Sequence, residues 1–357
     1  MYLDDAGSAP VLPEVTAALR GVPSGNPSSP HAEGRAARAA LDRARDQAAE
    51  ALGAHRLEIT FVSSGTEAVN LALFGVGGPL VTWAPEHQSV LGAARRMQTL
   101  GRDVVIAPVD SAARVDLDAI RPGTGLVSIG LANNEVGTLQ PVAEAIRRAH
   151  EAGALVHVDA CAGPRWIPIP AGADLVSISG HKLGAGRGGV LYVRDGVRID
   201  PLLFGGPQEW GRRAGYEDVT AAVAVATALM VAAREREAKA RVAQSQSQTL
   251  RDVLREVGGS LRGSDDRLPN FATCTFADRK GEDVLLALDL AGVAASSGSA
   301  CASGSLDPSH VLLAMGLNLQ QSLGSLRLTT GYATTDAEVE QAGEILRRVL
   351  ARTPSHA

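Results

Sequence analysis

Seven short apolar runs, separated by alanine-rich stretches, constrain the fold of this chain more than any other feature. They span residues 57–63, 80–84, 103–109, 125–132, 154–160, 174–180 and 188–193. Near-continuous apolar strands that alternate with helices are typical of a mostly parallel sheet with helices on both faces. The pattern therefore predicts an α/β fold for this part of the chain.

The remainder of the chain predicts a smaller α+β unit. A long helical stretch covers about residues 219–257, and after it come a strand, a helix, a glycine- and serine-rich loop, a strand and a terminal helix, at residues 270–276, 282–291, 296–305, 325–330 and 336–351. A chain of 357 residues is long enough for two units. We predict a large domain over residues 11–250 and a small domain formed by residues 1–10 and 251–357.

Composition excludes several classes of partner. The chain carries 34 basic and 39 acidic residues, with no basic block, so nucleic acid is not expected as a partner. The longest apolar run, Val219 to Ala233, is shorter than the roughly 20 residues that a membrane span needs and predicts a buried helix. The N-terminus is acidic where a signal peptide is basic, so we expect a cytoplasmic protein.

The three cysteines, at positions 161, 274 and 301, form no CxxC pair. This spacing favours neither a metal site nor a disulfide framework, and it leaves room for one reactive thiol. Cys274 lies among apolar neighbours, as a structural cysteine does. Cys301 instead lies among glycine, serine and alanine, which build no core and allow large backbone excursions.

The lysines offer few candidates for a Schiff base, because only Lys182, Lys239 and Lys280 occur. Lys239 lies in a charged helical stretch and Lys280 in a polar turn, so both are expected to be solvated. Lys182 follows the apolar run LVSIS, and open α/β sheets bind ligands at the carboxyl ends of their strands. Taken alone, Lys182 is equally compatible with a structural role.

Two further features bear on what could bind at these strand ends. Asp159 ends another apolar run, and a buried carboxylate there needs a cation such as a protonated pyridine nitrogen; the alternative is an ordinary cap or turn aspartate. The turn at residues 63–67 leads from a strand into a helix, where backbone N–H groups can bind a phosphate. Many such turns only cap helices.

Ten segments together resemble the cysteine desulfurases, a branch of the class V aminotransferases with the type I pyridoxal-phosphate transferase fold. They occur in the family's order with compatible spacing: YLD (2–4), GNPSS (25–29), SSGTEAVNLAL (63–73), PEHQSVL (85–91), NNEVG (133–137), HVDA (157–160), SGHKLGAGRGG (from Ser179), SSGSAC (296–301), LDPSHVL (306–312) and SLRLTTG (325–331). The resemblance covers nearly the whole chain.

The resemblance implies a set of cofactor contacts. Lys182 would hold the cofactor covalently, Asp159 would pair with its pyridine nitrogen, and His87 would stack on the ring and assist proton transfer. Asn134 would lie near the ring hydroxyl and the substrate. The phosphate would be bound by Gly65, Thr66, Ser179 and His181, with Tyr216 reaching across a homodimer interface.

The resemblance also implies a substrate and a nucleophile. L-cysteine would be held by Arg327, whose forked guanidinium suits a carboxylate. Cys301 would take the substrate sulfur as a persulfide and pass it to an acceptor protein or pathway enzyme. Because the nucleophile must be a thiolate, His87 or another cation is expected to promote its deprotonation.

Three positions depart from the family pattern. A glutamine is replaced by Ala162, a frequent arginine by Trp210, and a threonine that reaches the neighbouring phosphate by Tyr216. The chain also ends without the tail that housekeeping members use to dock a scaffold. These differences favour a specialised sulfur donor over a general iron–sulfur supplier. Two alternatives stay open: a selenocysteine lyase or C–S lyase on the same fold, and a non-catalytic binding protein.

Overall fold

The computed structural model describes residues 1–298 and 308–352. Its larger sheet has seven strands, and each lies within one of the apolar runs found in the sequence. They are β1 (Ile59–Val62), β2 (Leu80–Trp83), β3 (Val104–Ala107), β4 (Leu126–Gly130), β5 (Leu155–Asp159), β6 (Leu175–Ser179) and β7 (Gly189–Val193). The predicted strands are thus confirmed.

The strand order in this sheet is β1-β7-β6-β5-β4-β2-β3. The neighbours from β6 through β5, β4 and β2 to β3 pair in parallel, whereas β7 is antiparallel to both β6 and β1. A strand that is antiparallel to both neighbours leaves β1 pointing the same way as β6. The carboxyl ends of β1, β4, β5 and β6 therefore lie at one edge of the sheet.

Helices cover both faces of the large sheet. They are α1 (Pro13–Leu19), α2 (Ala32–Leu52), α3 (Gly65–Gly75), α4 (Gln88–Thr99), α5 (Val142–Glu151), α6 (Gly180–Leu183) and α7 (Val219–Glu256). Successive strand residues point to opposite faces: Leu80 packs with the core under α3 and α4, and Val81 with the core under α2, α5 and α7. The apolar start of α7 is buried, as predicted. No described helix is long and apolar enough to cross a membrane.

The smaller sheet is antiparallel, with the order β10-β9-β8. Its strands are β8 (Ser260–Leu261), β9 (Phe271–Thr275) and β10 (Ser325–Thr329), and the helices α8 (Gly281–Leu290), α9 (His310–Ala314), α10 (Leu319–Leu323) and α11 (Asp336–Arg352) accompany it. The N-terminus joins this unit, because Thr329 donates to the carbonyl of Leu3 at 2.7 Å. Leu250, at the predicted domain boundary, lies inside α7; the division into domains stays a prediction.

Candidate active site

A cleft opens at the edge where the strands end. It is lined by the beginnings of α3 and α4, the turn after β4, and the residues after β5 and β6. Most of the candidate cofactor residues lie on its wall: Gly65, Thr66, His87, Asn134, Asp159, Ser179, His181 and Lys182. Residues far apart in the sequence thus meet here because parallel strands deliver their ends to one place.

Lys182 is placed by a single helical turn directly after β6. The turn begins at Gly180, where an added β-carbon would lie 2.3 Å from the carbonyl oxygen of Arg187, so only glycine fits. Gly180 N–H also donates to the carbonyl of Gly188 at 2.8 Å. Gly184 ends the turn with φ of +82°, in the left-handed region that favours glycine. The backbone that carries Lys182 is therefore fixed from both sides.

Asp159 ends β5 and is 6% exposed. Its Oδ1 accepts a hydrogen bond from the backbone N–H of Cys161 at 2.9 Å, which orients the carboxylate. Cys161 also lines the cleft. Burial raises the pKa of the Cys161 thiol well above its usual value, so the thiol stays protonated and is not a ready nucleophile.

The turn before α3 presents the start of an eleven-residue helix to the cleft. Ser64 caps the helix by accepting from Glu67 N–H at 3.2 Å, and Glu67 accepts from Ser63 N–H at 2.8 Å. A β-carbon on Gly65 would lie 2.5 Å from Cys161 Sγ, so the helix start approaches the floor of the cleft closely. Backbone N–H groups at such a terminus favour an anion.

His87 caps α4 and lies on the cleft wall. Its Nδ1 accepts from the backbone N–H of Ser89 at 3.1 Å, which assigns the ring proton to Nε2 when the ring is neutral. Burial lowers the pKa of His87, and the nearby Lys182 charge adds to this effect. The ring is therefore neutral near pH 7. In this state the ring is available as a base, and a role for His87 or another cation in deprotonating Cys301 stays a prediction.

Glu86 is a cleft residue that sequence reasoning missed. It is 6% exposed, and its Oε1 accepts from Gly130 N–H at 2.9 Å. Burial raises the pKa of this carboxyl to about 8, and the charge of Asp159 adds to the rise. Glu86 is therefore mostly protonated at pH 7. The available signal was an acidic residue soon after a buried strand and directly before the candidate His87.

Two of the described candidate residues, Arg327 and Tyr216, are not on the cleft wall. Arg327 is 1% exposed on β10 and donates to Asp4 Oδ1 and to the Asn134 carbonyl, each at 2.7 Å, so it reaches the cleft through the backbone of Asn134. Tyr216 is 59% exposed. Cys301 lies outside the described residues.

The other lysines bear on the choice of Lys182. Lys280 is exposed, as predicted. Lys239 is not simply solvated: its Nζ donates to the Tyr332 carbonyl at 2.9 Å and lies 5.5 Å from the centroid of that ring. The prediction for Lys239 is wrong because α7 packs this side chain against the turn after β10. Neither residue lines the cleft.

The donor set of the cleft fits pyridoxal 5'-phosphate. Lys182 supplies an amine for the aldehyde, Asp159 a carboxylate for a protonated ring nitrogen, and the start of α3 a site for the phosphate, with the close approach at Gly65 shaping it. Ala162 lies on the same wall, where it offers no hydrogen bond. Among the described residues, no group of three or more His, Cys, Asp or Glu side chains is arranged to hold a metal.

The fold and this site define a type I pyridoxal-phosphate enzyme. A NifS-like protein of known structure superposes with a TM-score of 0.91 at 30% identity, covering 98% of this chain and 99% of that one. SspA, solved in complex with cysteine, superposes with a TM-score of 0.81 at 30% identity, covering 94% of this chain and 99% of that one. The predicted fold class is confirmed.

Sequence comparison gives the family. The profile of the class-V aminotransferases matches residues 1–342. The cysteine desulfurase IscS of Dictyoglomus turgidum is 38% identical over 371 aligned residues, which cover 98% of this chain and 94% of that protein. The chain belongs to the class-V aminotransferase family, in its cysteine desulfurase branch.

Proposed function

We propose that this chain is a pyridoxal-phosphate-dependent cysteine desulfurase that converts L-cysteine to L-alanine and leaves the sulfur on Cys301 as a persulfide. The observation that carries the proposal is the meeting of Lys182 and Asp159 in one cleft at the carboxyl edge of the sheet. These residues end or follow strands that are neighbours in the sheet. The relatives and the SspA–cysteine complex support the choice of substrate.

The cofactor, when bound, supplies an electron sink that makes the α-proton of the amino acid acidic and the Cβ–S bond cleavable. The residues of the chain orient and serve this chemistry. Lys182 would hold the cofactor, and its amine would carry the α-proton of the substrate. Asp159 keeps the ring nitrogen protonated. His87 is neutral because burial lowers its pKa, so it can accept and return a proton at the ring face.

Cys301 completes the reaction as a thiolate. Its sulfur attacks the substrate sulfur, an S–S bond forms, and the Cβ–S bond breaks. Cβ takes up a proton and is reduced to the methyl group of alanine, while the two sulfur atoms are oxidised to the persulfide level. Arg327 and Asn134 would hold the substrate carboxylate and amino acid in place during this step.

One set of measurements tests this function. The purified protein supplied with pyridoxal phosphate is expected to gain an absorbance band near the visible edge, and borohydride should fix the cofactor on Lys182 in peptide mass spectra. L-cysteine should then add one sulfur atom to Cys301 and release L-alanine. Cys301→Ala should abolish alanine formation. Turnover near the wild-type rate in that variant would establish a lyase, and a colourless protein would rule out the cofactor.

We also propose a homodimer in which Tyr216 reaches the phosphate of the neighbouring subunit. The segment around Tyr216 exposes several large apolar side chains, with Phe204 at 86% and Leu203 and Trp210 at 48% each. Such a patch is costly in water and is typical of an interface. Light scattering should give twice the chain mass, and Phe204→Asp should shift the protein toward monomers. A wild-type monomer with full cofactor would contradict the role of Tyr216.

The sulfur acceptor is proposed to be one protein or pathway enzyme, reached in the cytoplasm. The free thiols of Cys161 and Cys274 suit a reducing compartment. Ala162 and Tyr216 support a specialised donor, since they change contacts near the ring and the phosphate. Robust iron–sulfur cluster assembly by this enzyme in a reconstituted system would count against specialisation.

A further inference from the structure

Glu135 is a buried acidic residue at the junction between the two sheets, and the mechanism above does not use it. Its side chain is 4% exposed. Its carbonyl accepts from Thr273 Oγ1 on β9 at 2.9 Å, and its N–H donates to Asn133 Oδ1 at 2.9 Å. The preceding residue, Asn134, lines the cleft. Glu135 is thus fixed between the cleft and the smaller sheet.

The carboxylate of Glu135 contacts two segments that are separated in sequence. Ser309 Oγ donates a hydrogen bond to Glu135 Oε2. A β-carbon on Gly298 would lie 3.2 Å from the same Oε2, so the backbone of Gly298 packs against this oxygen. Residues 298 and 309 are the two flanks of the segment that contains Cys301. The same carboxylate oxygen therefore accepts a hydrogen bond from the downstream flank and lies close to the backbone of the upstream flank.

Neighbouring contacts strengthen both ends. On the upstream side, Gly298 N–H donates to Ser296 Oγ at 3.0 Å, and the Gly298 carbonyl lies 3.4 Å from Arg327 Nη1. On the downstream side, His310 Nδ1 is 3.9 Å from Glu135 Oε1, and its Nε2 is 2.9 Å from the Glu86 carbonyl. Both ends are thereby joined to residues that border or reach the cleft.

Because these anchors hold Gly298 in place, covalent geometry limits the distance of Cys301 from Gly298. Cys301 is three residues from Gly298, and consecutive Cα atoms are 3.8 Å apart, so its Cα stays within about 11 Å of the Gly298 Cα. Holding two chain ends together also removes conformational entropy from the chain between them. A fixed Gly298 and Ser309 therefore limit how far the chain between them can reach.

We propose that Glu135 is a positioning residue that ties both ends of the Cys301-bearing segment to the cofactor cleft and so sets the rate at which Cys301 meets the substrate sulfur. This inference rests on the proposed function and deepens it. It predicts that loss of the Glu135–Ser309 contact slows sulfur transfer to Cys301 without equal loss of substrate binding.

The test compares two pairs of variants in the cofactor-loaded enzyme. Glu135→Ala and Ser309→Ala remove one partner each, whereas Glu135→Gln and Ser309→Thr keep an acceptor or a hydroxyl in place. Ser309 also caps α9 by accepting from Leu312 N–H. Asn318→Ala is the matched control, because it removes the cap of α10, a helix of the same five-residue length that makes no hydrogen bond to Glu135 within the described part of the chain.

Three readouts are measured for each variant. The absorbance change on mixing with L-cysteine reports substrate binding, and mass spectrometry after a single turnover reports sulfur on Cys301. Limited proteolysis between residues 296 and 310, with no cofactor added, reports how firmly the ends are held. Wild-type enzyme that binds L-cysteine but puts no sulfur on Cys301 would refute the proposed function rather than the role of Glu135.

Glu135→Ala and Ser309→Ala are expected to slow sulfur appearance on Cys301 by about tenfold or more, since small misplacements of a reacting group are costly. Substrate binding should stay within about twofold, and cleavage should be faster than in Asn318→Ala. The variant that combines Glu135→Ala with Ser309→Ala should be no slower than Glu135→Ala alone, because the two substitutions remove the same contact. The Gln and Thr variants should recover most of the rate.

The proposal is overturned if the two alanine variants transfer sulfur at the wild-type rate, or if their proteolysis matches that of Asn318→Ala. It is also overturned if substrate binding falls as far as sulfur transfer, because Glu135 would then act through Asn134 on the cofactor site. If Glu135→Ala does not fold, the Ser309 pair and Glu135→Gln decide the question by the same criteria.

Discussion

Arg327 Nη2 lies 2.7 Å from Asp4 Oδ1, so the candidate substrate-binding arginine is paired with a carboxylate of the chain's own N-terminus. The arginine is buried, and the Asp4 side chain is 24% exposed. The Nε atom of Arg327 has no hydrogen-bond partner among the described residues. Arg327 would therefore bind the substrate carboxylate through Nε, or it would release Asp4 and bind the substrate carboxylate in its place.

We predict that Arg327→Lys lowers kcat/KM for L-cysteine by about 100-fold, mainly through KM, because a lysine cannot reproduce a forked, charge-assisted contact. Asp4→Asn is the matched control, since it breaks the same ion pair but keeps the guanidinium. Its KM is expected to be no higher than that of the wild type. Steady-state alanine formation measures both. An unchanged KM in Arg327→Lys would show that the arginine is structural.

The positions of Lys182 and Asp159 could be predicted because they follow from local patterns. Each ends or follows an apolar strand, and parallel strands bring their carboxyl ends together whatever the loops do. The strands themselves were visible for the same reason. The helix α2 has an equally clear local signal, with Ala37, Leu41, Ala44 and Ala48 buried at helical spacing.

Other features could not be predicted because they depend on contacts between distant residues. The ion pair of Arg45 with Glu209 joins positions 164 apart in the chain, and that of Arg327 with Asp4 joins positions 323 apart. The neutral state of His87 also depends on burial, which no local pattern reports. Such contacts become visible only once the fold has placed the residues.

A second prediction concerns Glu86 and pH. The folded-state pKa of Glu86 is about 8, above the ordinary value of 4.5. The contribution of the protonated carboxyl to folding stability is therefore fully present below pH 4.5. That contribution is lost as pH rises toward 8, because the Glu86 carboxyl ionises readily in the unfolded chain but resists ionisation when it is buried in the folded protein. Glu86→Gln cannot ionise and keeps an acceptor for Gly130 N–H. It should match the wild type near pH 4.5 and be more stable near pH 8.

The expected gain at pH 8 is a few kcal/mol, from about 1.4 kcal/mol for each unit of pKa difference. Urea unfolding at pH 5 and pH 8 gives the two free energies of unfolding. Glu50→Gln, at an exposed position of α2, is the control and should show no such pH-dependent difference. Equal stability differences for Glu86→Gln at both pH values would mean that Glu86 ionises normally in the folded protein.

A third prediction uses the close contact between Gly65 and Cys161. Gly65→Ala would place a β-carbon 2.5 Å from Cys161 Sγ and 2.9 Å from Ser179 Cβ, so the start of α3 must shift. We expect a loss of about 1–3 kcal/mol in stability from overpacking and a clear loss of affinity for pyridoxal phosphate. Differential scanning calorimetry and a cofactor titration measure the two effects.

The contact can be relieved by a second substitution. Cys161→Ala removes Sγ, so it should restore part of the cofactor affinity of Gly65→Ala, while Ser179 Cβ prevents full recovery. Gly92→Ala is the control, because Gly92 lies inside α4 with no neighbouring atom within 4 Å of the added carbon. It should be neutral or slightly stabilising. Identical affinities for Gly65→Ala with and without Cys161→Ala would contradict the proposed clash.

The last prediction concerns the buried pair of Arg45 and Glu209, whose side chains are each 2% exposed. Two hydrogen bonds of 2.6 and 2.7 Å join them, and Glu209 Oε2 also accepts from Phe61 N–H at 2.9 Å. Glu209 and Trp210 both adopt left-handed backbone conformations, with φ of +49° and +61°. The ion pair therefore holds a strained segment against β1.

Glu209→Gln leaves the Arg45 guanidinium buried without its anion, so we expect a loss of about 3–5 kcal/mol in the free energy of unfolding. Because the same segment carries Tyr216, cofactor retention in the assembled enzyme should weaken as well. Glu237→Gln, which breaks an exposed pair with Arg241 on α7, is the control and should change little. Urea unfolding and cofactor release on dilution are the measurements. A stable Glu209→Gln variant with normal cofactor retention would show that packing around Trp210, and not the ion pair, holds the segment in place.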